Sequence, residues 1–268
     1  MSSVARVLRA YPTLLRVGFA GAVAYRAEMV VWMLTTTMPL VSLALWSAVA
    51  AGGPVGRFDA REFTAYFLGI LVVRQLTGSW LVWEMNMEIK SGALSQRLLK
   101  PIHPLVVYSA ENLAAVPLRA LLCAPIAVIG AVTVGLDRFP QDVSVLLLWC
   151  LAMLGAWLIN FFTMALIGAL AFVMESSTAV FEVYLAIFMV LSGYIVPLEL
   201  FPGWLQAIGD VLPFRYTLAF PVEIATGLLE PGRALRDLAV QWIYVGASCG
   251  AALLAWRVGL RRFAAFGG

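Results

Sequence analysis

The sequence predicts an all-α integral membrane protein. Six transmembrane helices follow an N-terminal interfacial helix, with an amphipathic helix on the cytoplasmic side and re-entrant helices on the outer side. Three observations carry this. Of the 268 residues 62% are hydrophobic and 12% charged, against about 45–50% and ~25% in a soluble globular domain. Mean hydropathy is +0.92, so too little polar surface remains to cover a water-soluble fold. Apolar runs of about 20 residues, enough to cross a ~30 Å hydrocarbon core at 1.5 Å per residue, recur along the chain.

The interfacial helix is read over 1–25. Val4, Val7, Leu8, Tyr11, Leu14 and Leu15 recur at helical spacing, and Arg6, Arg9 and Arg16 project from the other side. This pattern lays an apolar face into the bilayer surface and turns cations toward lipid phosphates. Pro12 predicts a kink or a second helical piece. The arginines also interrupt any short apolar core of the kind found in a cleavable signal peptide. The spans are read at 27–49, 63–83, 113–135, 143–173, 179–197 and 238–258. The fourth exceeds the bilayer and should tilt; the fifth ends at Pro197. Residues 1–268 form one transmembrane domain.

Two connections stand out. Residues 84–104 form the longest polar stretch on one side, broken at Ser91-Gly92, with Leu94, Leu98 and Leu99 as an apolar stripe and Pro101 and Pro104 as stops. This predicts a short amphipathic helix running across the membrane face. Residues 198–237 are too polar and proline-rich for a span. Phe201-Pro202-Gly203-Trp204-Leu205 and Leu212-Pro213-Phe214-Arg215-Tyr216 set aromatics beside prolines, which predicts dipping helices covered by other protein.

Lys and Arg set the orientation. With the N-terminus inside, the inner segments hold Arg6, Arg9, Arg16, Arg26, Lys90, Arg97, Lys100, Arg119, Arg257, Arg261 and Arg262. The outer segments hold Arg57, Arg61, Arg138, Arg215, Arg233 and Arg236. Eleven against six, with Arg74 inside the second span, accounts for all 18 and places both termini in the cytoplasm. The net charge of +3 is spread over span ends and forms no basic block, so nucleic acid is not a partner.

Catalytic constellations are absent from the sequence. There is no GxxxxGK[ST], HExxH or GxSxG, and the single histidine, His103, sits between prolines. Cys123, Cys150 and Cys249 lie in apolar stretches without metal-ligand spacing. The chain is therefore read as no enzyme, with no metal and no cofactor of its own. Polar groups in the spans remain, each expensive in hydrocarbon. Arg74 and Asn160 lie mid-span, and with Trp80 they are candidates for a substrate path. Structural roles compete: a partner carboxylate for Arg74, an interhelical hydrogen bond for Asn160, an interfacial anchor for Trp80 and Trp83. Glu175 and Glu182, seven apart, would share a helix face and offer a second cytoplasmic contact, or act as solvated helix ends. Gly246 and Gly250 form a GxxxG in the last span.

The layout resembles the membrane subunit of a type-2 ABC (ATP-binding cassette) transporter. Lys90-Ser91-Gly92-Ala93-Leu94-Ser95-Gln96-Arg97-Leu98-Leu99-Lys100-Pro101-Ile102 is similar to the SG-x-L-x-x-x-LL-K/R-P segment of a bacterial permease branch. Leu212-Pro213-Phe214-Arg215-Tyr216, with Phe220-Pro221 and Gly227, is similar to its late LPF…FP…G pattern. The resemblance implies a half-transporter of exporter type in a bacterial cytoplasmic membrane. A second copy or a related permease would complete the pathway, and two separate ATPase subunits would hold ATP and Mg²⁺. The inner helix would be the coupling helix, with Glu88, Lys90, Gly92, Leu94, Arg97, Leu98 and Lys100 at the ATPase contact. Its cargo would be lipophilic or amphipathic. The competing class is an ATP-independent carrier or assembly scaffold. Carriers commonly display mid-membrane carboxylates, and the acids here fall at span ends.

Overall fold

The computed structural model describes residues 3–27, 30–31, 37–135 and 142–263. Parts of the first predicted span (28–29 and 32–36), and Arg138, lie outside the described residues. Among the described residues four helical segments are long and apolar enough to cross a membrane: Ala60–Ser91, Pro104–Val134, Val143–Phe172 and Gly232–Leu260. Two shorter apolar helices, Met38–Ala50 and Ser177–Leu191, occupy the first and fifth predicted spans. The order of elements is the predicted one.

Helix α1 (Ser3–Ala24) passes through Pro12 without interruption, where the sequence predicted a kink or restart. Pro12 sits on the exposed side, where the Leu8 carbonyl it leaves without an intrahelical donor can be satisfied from outside the helix. The half-buried positions 7, 11, 14, 18 and 21 follow a helical stripe. The stripe packs along α6 (Pro104–Ala114). Tyr11 and Ser109 hydroxyls meet at 3.3 Å, and a Cβ on Gly18 would come within 3.0 Å of Ala114 Cβ.

Local chemistry explains the helix ends. After α2 (Met38–Ala50), α3 (Ala60–Thr77) opens with a capping box: Asp59 accepts from the Glu62 backbone N–H and Glu62 accepts from that of Asp59, both at 2.8 Å. α4 (Leu81–Ser91) ends at Gly92 with φ +77°, a left-handed cap that glycine adopts without strain. The five-residue α5 (Leu94–Leu98) follows. His103 Nδ1 accepts from Leu105 N–H to start α6, nine residues before the predicted third span. α7 (Val116–Val134) continues α6 after Ala115. α8 (Val143–Ala169) starts at Asp142, which accepts from Ser144 N–H at 2.9 Å. Its 27 residues span roughly 40 Å, and it packs against α3, α4 and most of the later helices.

The fifth span, α9 (Ser177–Leu191), has 15 residues, roughly 22 Å and short of the hydrocarbon core. The chain beyond it, residues 192–197, is irregular, and its carbonyls need partners. It has them: Ser192 O accepts from Ala219 N–H (3.2 Å), Gly193 O from the Tyr66 hydroxyl (3.0 Å), and Ile195 O from Trp46 Nε1 (3.1 Å). The predicted re-entrant stretch then forms α10 (Gly203–Val211), α11 (Phe214–Thr217) and α12 (Ala219–Ala225) before α13 (Pro231–Leu260). α12 is almost wholly buried.

Gly193 has φ +81°, and a Cβ there would overlap the Tyr66 hydroxyl. Gly193→Ala should cost about 1–3 kcal/mol through backbone strain and that overlap. Thermal unfolding in detergent checks it: an unchanged midpoint would contradict the packing described.

Candidate functional site

The 84–104 stretch is a helical hairpin in the structure. The predicted helix across the membrane face reduces to the five residues of α5. The rest is the end of α4 and the entry to α6, because Gly92 reverses the chain at once. One side chain braces the turn. Arg97 Nε donates to Glu88 Oε2 at 2.8 Å, and Nη2 reaches Glu88 Oε1 at 2.8 Å. Nη1 reaches both oxygens of Glu111 at 3.0 Å, and Nη2 reaches Glu84 at 3.0 Å. Tyr108 donates to Glu88 at 2.5 Å and lays its ring 4.3 Å from the guanidinium carbon. One planar fork thus ties α4, α5 and α6 together. Burial alone would weaken proton binding by Arg97, but its hydrogen bonds to Glu88 and Glu111 outweigh this and raise its affinity for the proton.

The coupling residues read from the sequence divide accordingly. Glu88 and Arg97 direct their charges into the chain's own network. Lys90 Nζ donates to the Met174 carbonyl at 2.5 Å, and Asn86 Oδ1 accepts from Ser177 N–H and Oγ at 3.2 and 3.0 Å. Together these fasten the turn to the α8–α9 connection. Leu94, expected from the apolar stripe and the resemblance at the ATPase contact, is instead 0% exposed among core residues such as Met85 and Leu105. The turn at Gly92 rolls Leu94 inward, leaves Leu98 half-buried and turns Leu99 outward at 82% exposure, with Lys100 exposed beside it. Glu175 and Glu182 are both exposed, but they do not share a helix face. The helix starts only at Ser177, which leaves Glu175 in the preceding bend.

The second span is not one helix, as 63–83 predicted, but breaks at residues 78–80 between α3 and α4. Side chains of the third and fourth spans satisfy the break. Arg119 Nη1 donates to Gly78 O at 2.8 Å, Asn112 Nδ2 to Ser79 Oγ at 3.3 Å, and Trp157 Nε1 to Asn112 Oδ1 at 2.8 Å. A Cβ on Gly78 would lie 2.8 Å from Arg74 O, so the close turn depends on glycine. Of the candidate path residues, Arg74 and Asn160 meet around a cavity of about 10 Å³ with Ser79 and Tyr184, room for about one water. Arg74 lies 5.3 Å from the Phe188 ring centre. Trp80 lies apart from them, on the wall of a larger pocket with Tyr25 and Glu84.

Two buried polar groups had not been singled out. Arg215, 3% exposed, pairs with Glu223 (2.6 Å) and Asp237 (2.9 Å), and Arg233 stands 3.8 Å from Asp237. Its signal in the sequence was an arginine inside an aromatic, proline-flanked run. Gln241, fully buried in α13, donates to the carbonyls of Ala152 and Tyr216 at 2.8 Å and fills the space beside Gly155. Close approach of the last span is made there. A Cβ on Gly246 or Gly250 would meet nothing within 4 Å inside the chain. Among the described residues no group of three or more His, Cys, Asp or Glu is placed to hold a metal.

No curated protein matches the chain. A family model described as ABC-2 family transporter protein does match it, over residues 33–267. That stretch runs from within the first predicted span through the braced turn and the re-entrant helices to the last span, and with most of its length covered the chain belongs to the ABC-2 transporter family, the membrane subunits of type-2 ABC transporters.

Proposed function

We propose that the chain is the transmembrane permease subunit of an ATP-driven exporter and moves an amphipathic or lipophilic substrate by alternating access. The subunit spans a bacterial cytoplasmic membrane with both termini inside. It pairs with a second copy or a related permease. Two ABC ATPase subunits dock beneath it and hold ATP and Mg²⁺; this chain supplies no catalytic group.

The observation that carries this reading is the braced turn. Arg97 fixes α5 rigidly to α4 and α6, while Leu99 and Lys100 project from it. An apolar side chain at 82% exposure beside a cation suits a partner's groove. Force on Leu99 reaches α4 directly. The break at 78–80 lies between α4 and the membrane half of the span, and lets α4 swing against α3. Residues 78–80 are thus the hinge of the lever, and Asn112 and Arg119 are its supports.

The test is co-expression with a tagged ABC ATPase encoded in the same genome, followed by co-purification and ATP hydrolysis assays. Leu99→Asp should reduce recovered ATPase at least tenfold while the permease keeps its thermal midpoint. Leu94→Asp should unfold the permease itself. Full recovery of active complex with Leu99→Asp would overturn the assignment of the docking surface.

A further inference from the structure

A pocket of about 710 Å³ opens between the end of α1, the start of α4 and the α6–α7 helix. Gly21, Tyr25, Trp80 and Met87 give it a largely apolar wall, and Glu84 and Glu111 supply carboxylates. Tyr25 and Met87 are 63% and 65% exposed, so the pocket communicates with the surroundings of the bundle. Its volume matches that of sites for small organic ligands.

The charge of this wall is unbalanced. Glu84 and Glu111 are two of three carboxylates grouped on one guanidinium, Arg97. Three acids face two cations, Arg97 and the pocket-lining Arg119, which leaves an excess of one negative charge. Arg119 turns its Nη1 to the Gly78 carbonyl but keeps its charge. Carboxylates beside low-dielectric walls attract a cation, and Trp80 and Tyr25 offer ring faces that suit an ammonium group. A soluble cation would leave the apolar part of the wall wet, whereas an amphiphile covers it.

We propose that this pocket binds an amphiphile with an ammonium headgroup. The ammonium lies against Glu84 and Glu111, and the alkyl chain runs past Trp80, Tyr25 and Met87 toward the acyl layer. The site stands whether or not the permease reading holds. The ligand chemistry has two sources, an aminophospholipid of the membrane or a free cationic amphiphile.

The experiment is native mass spectrometry of the full chain in a non-ionic detergent. Phosphatidylethanolamine and phosphatidylglycerol of identical chains are added in parallel, and dodecyltrimethylammonium serves as competitor. Phosphatidylethanolamine should be retained at least fivefold over phosphatidylglycerol. If dodecyltrimethylammonium displaces it, both sources are admitted; if it does not, the lipid alone is. Retention of dodecyltrimethylammonium without a phosphatidylethanolamine preference assigns the site to free amphiphiles. Gly21→Phe fills the pocket from α1, where an added Cβ meets nothing within 4 Å, and should abolish retention without changing the thermal midpoint. If that midpoint falls, Glu84→Gln, which keeps the volume, should remove the headgroup preference instead. Equal retention of both lipids with no binding of dodecyltrimethylammonium overturns the proposal, as does retention that both variants leave intact.

Discussion

Arg215→Met should lower the stability of the protein by about 3–5 kcal/mol, the range for removing one partner of a buried ion pair. The cost arises from what is left behind. Glu223 is 7% and Asp237 16% exposed at the side chain, and both lose the guanidinium that neutralises them. Arg233 stays 3.8 Å from Asp237 but is itself 51% exposed, a weak substitute. The cluster also joins α11 and α12 to α13, so the re-entrant segment should loosen first. Hydrogen exchange should show faster exchange at 214–225 than in α8, and thermal unfolding should give the overall loss. Arg215→Met combined with Glu223→Leu should recover part of the stability, because the buried charge goes as well. If the single and double variants are equally unstable, the guanidinium's role is steric and the electrostatic account fails.

Arg97→Leu should cost about 2–3 kcal/mol, less than Arg215 because Glu84 and Glu111 are 39% and 37% exposed and solvent screens them. Its functional effect should be larger than its effect on stability. Without the fork, Glu84, Glu88 and Glu111 repel one another, and α5 loses its fixed angle to α4. Arg97→Lys is the sharper variant, since it keeps the charge but a single ammonium cannot reach three carboxylates in their present geometry. ATPase should still co-purify with Arg97→Lys, while hydrolysis is no longer coupled to transport. Wild-type coupling in Arg97→Lys would show that the turn needs charge there and not the planar brace.

Much of this architecture is legible in the sequence, because hydropathy reports directly on which segments can sit in lipid. The six apolar runs, the polar turn at 84–104 and the re-entrant stretch all follow from it. The structure departs from the reading where long-range packing decides. The break at 78–80 is hidden because Thr77-Gly78-Ser79 is small and barely polar, and its satisfaction by Arg119 and Asn112 comes from another helix. Arg97 reads from the sequence as an inner cation at the ATPase contact, since nothing local reveals that Glu84, Glu88 and Glu111 converge across the Gly92 turn. Glu84 and Glu88, four apart on one helix, were the available signal. Leu94 and Leu99 are equivalent as letters, and only the left-handed turn at Gly92 sends one inward and the other out. His103, a loop residue without a partner in the sequence, caps α6. Arg215 counts in the sequence only as an outer cation, because its burial depends on how α11 and α12 fold back against α13.

The ATPase is proposed to dock at the braced turn. Photo-crosslinking tests it most directly: a photoreactive amino acid is placed at Leu99, Glu175 or Trp204, one at a time, in a permease co-expressed with its ATPase. Leu99 should give a strong permease–ATPase adduct whose yield changes when ATP is added, and Trp204, exposed in α10 at the opposite end, should give none. An adduct from Trp204, or from Glu175 with none from Leu99, would contradict it.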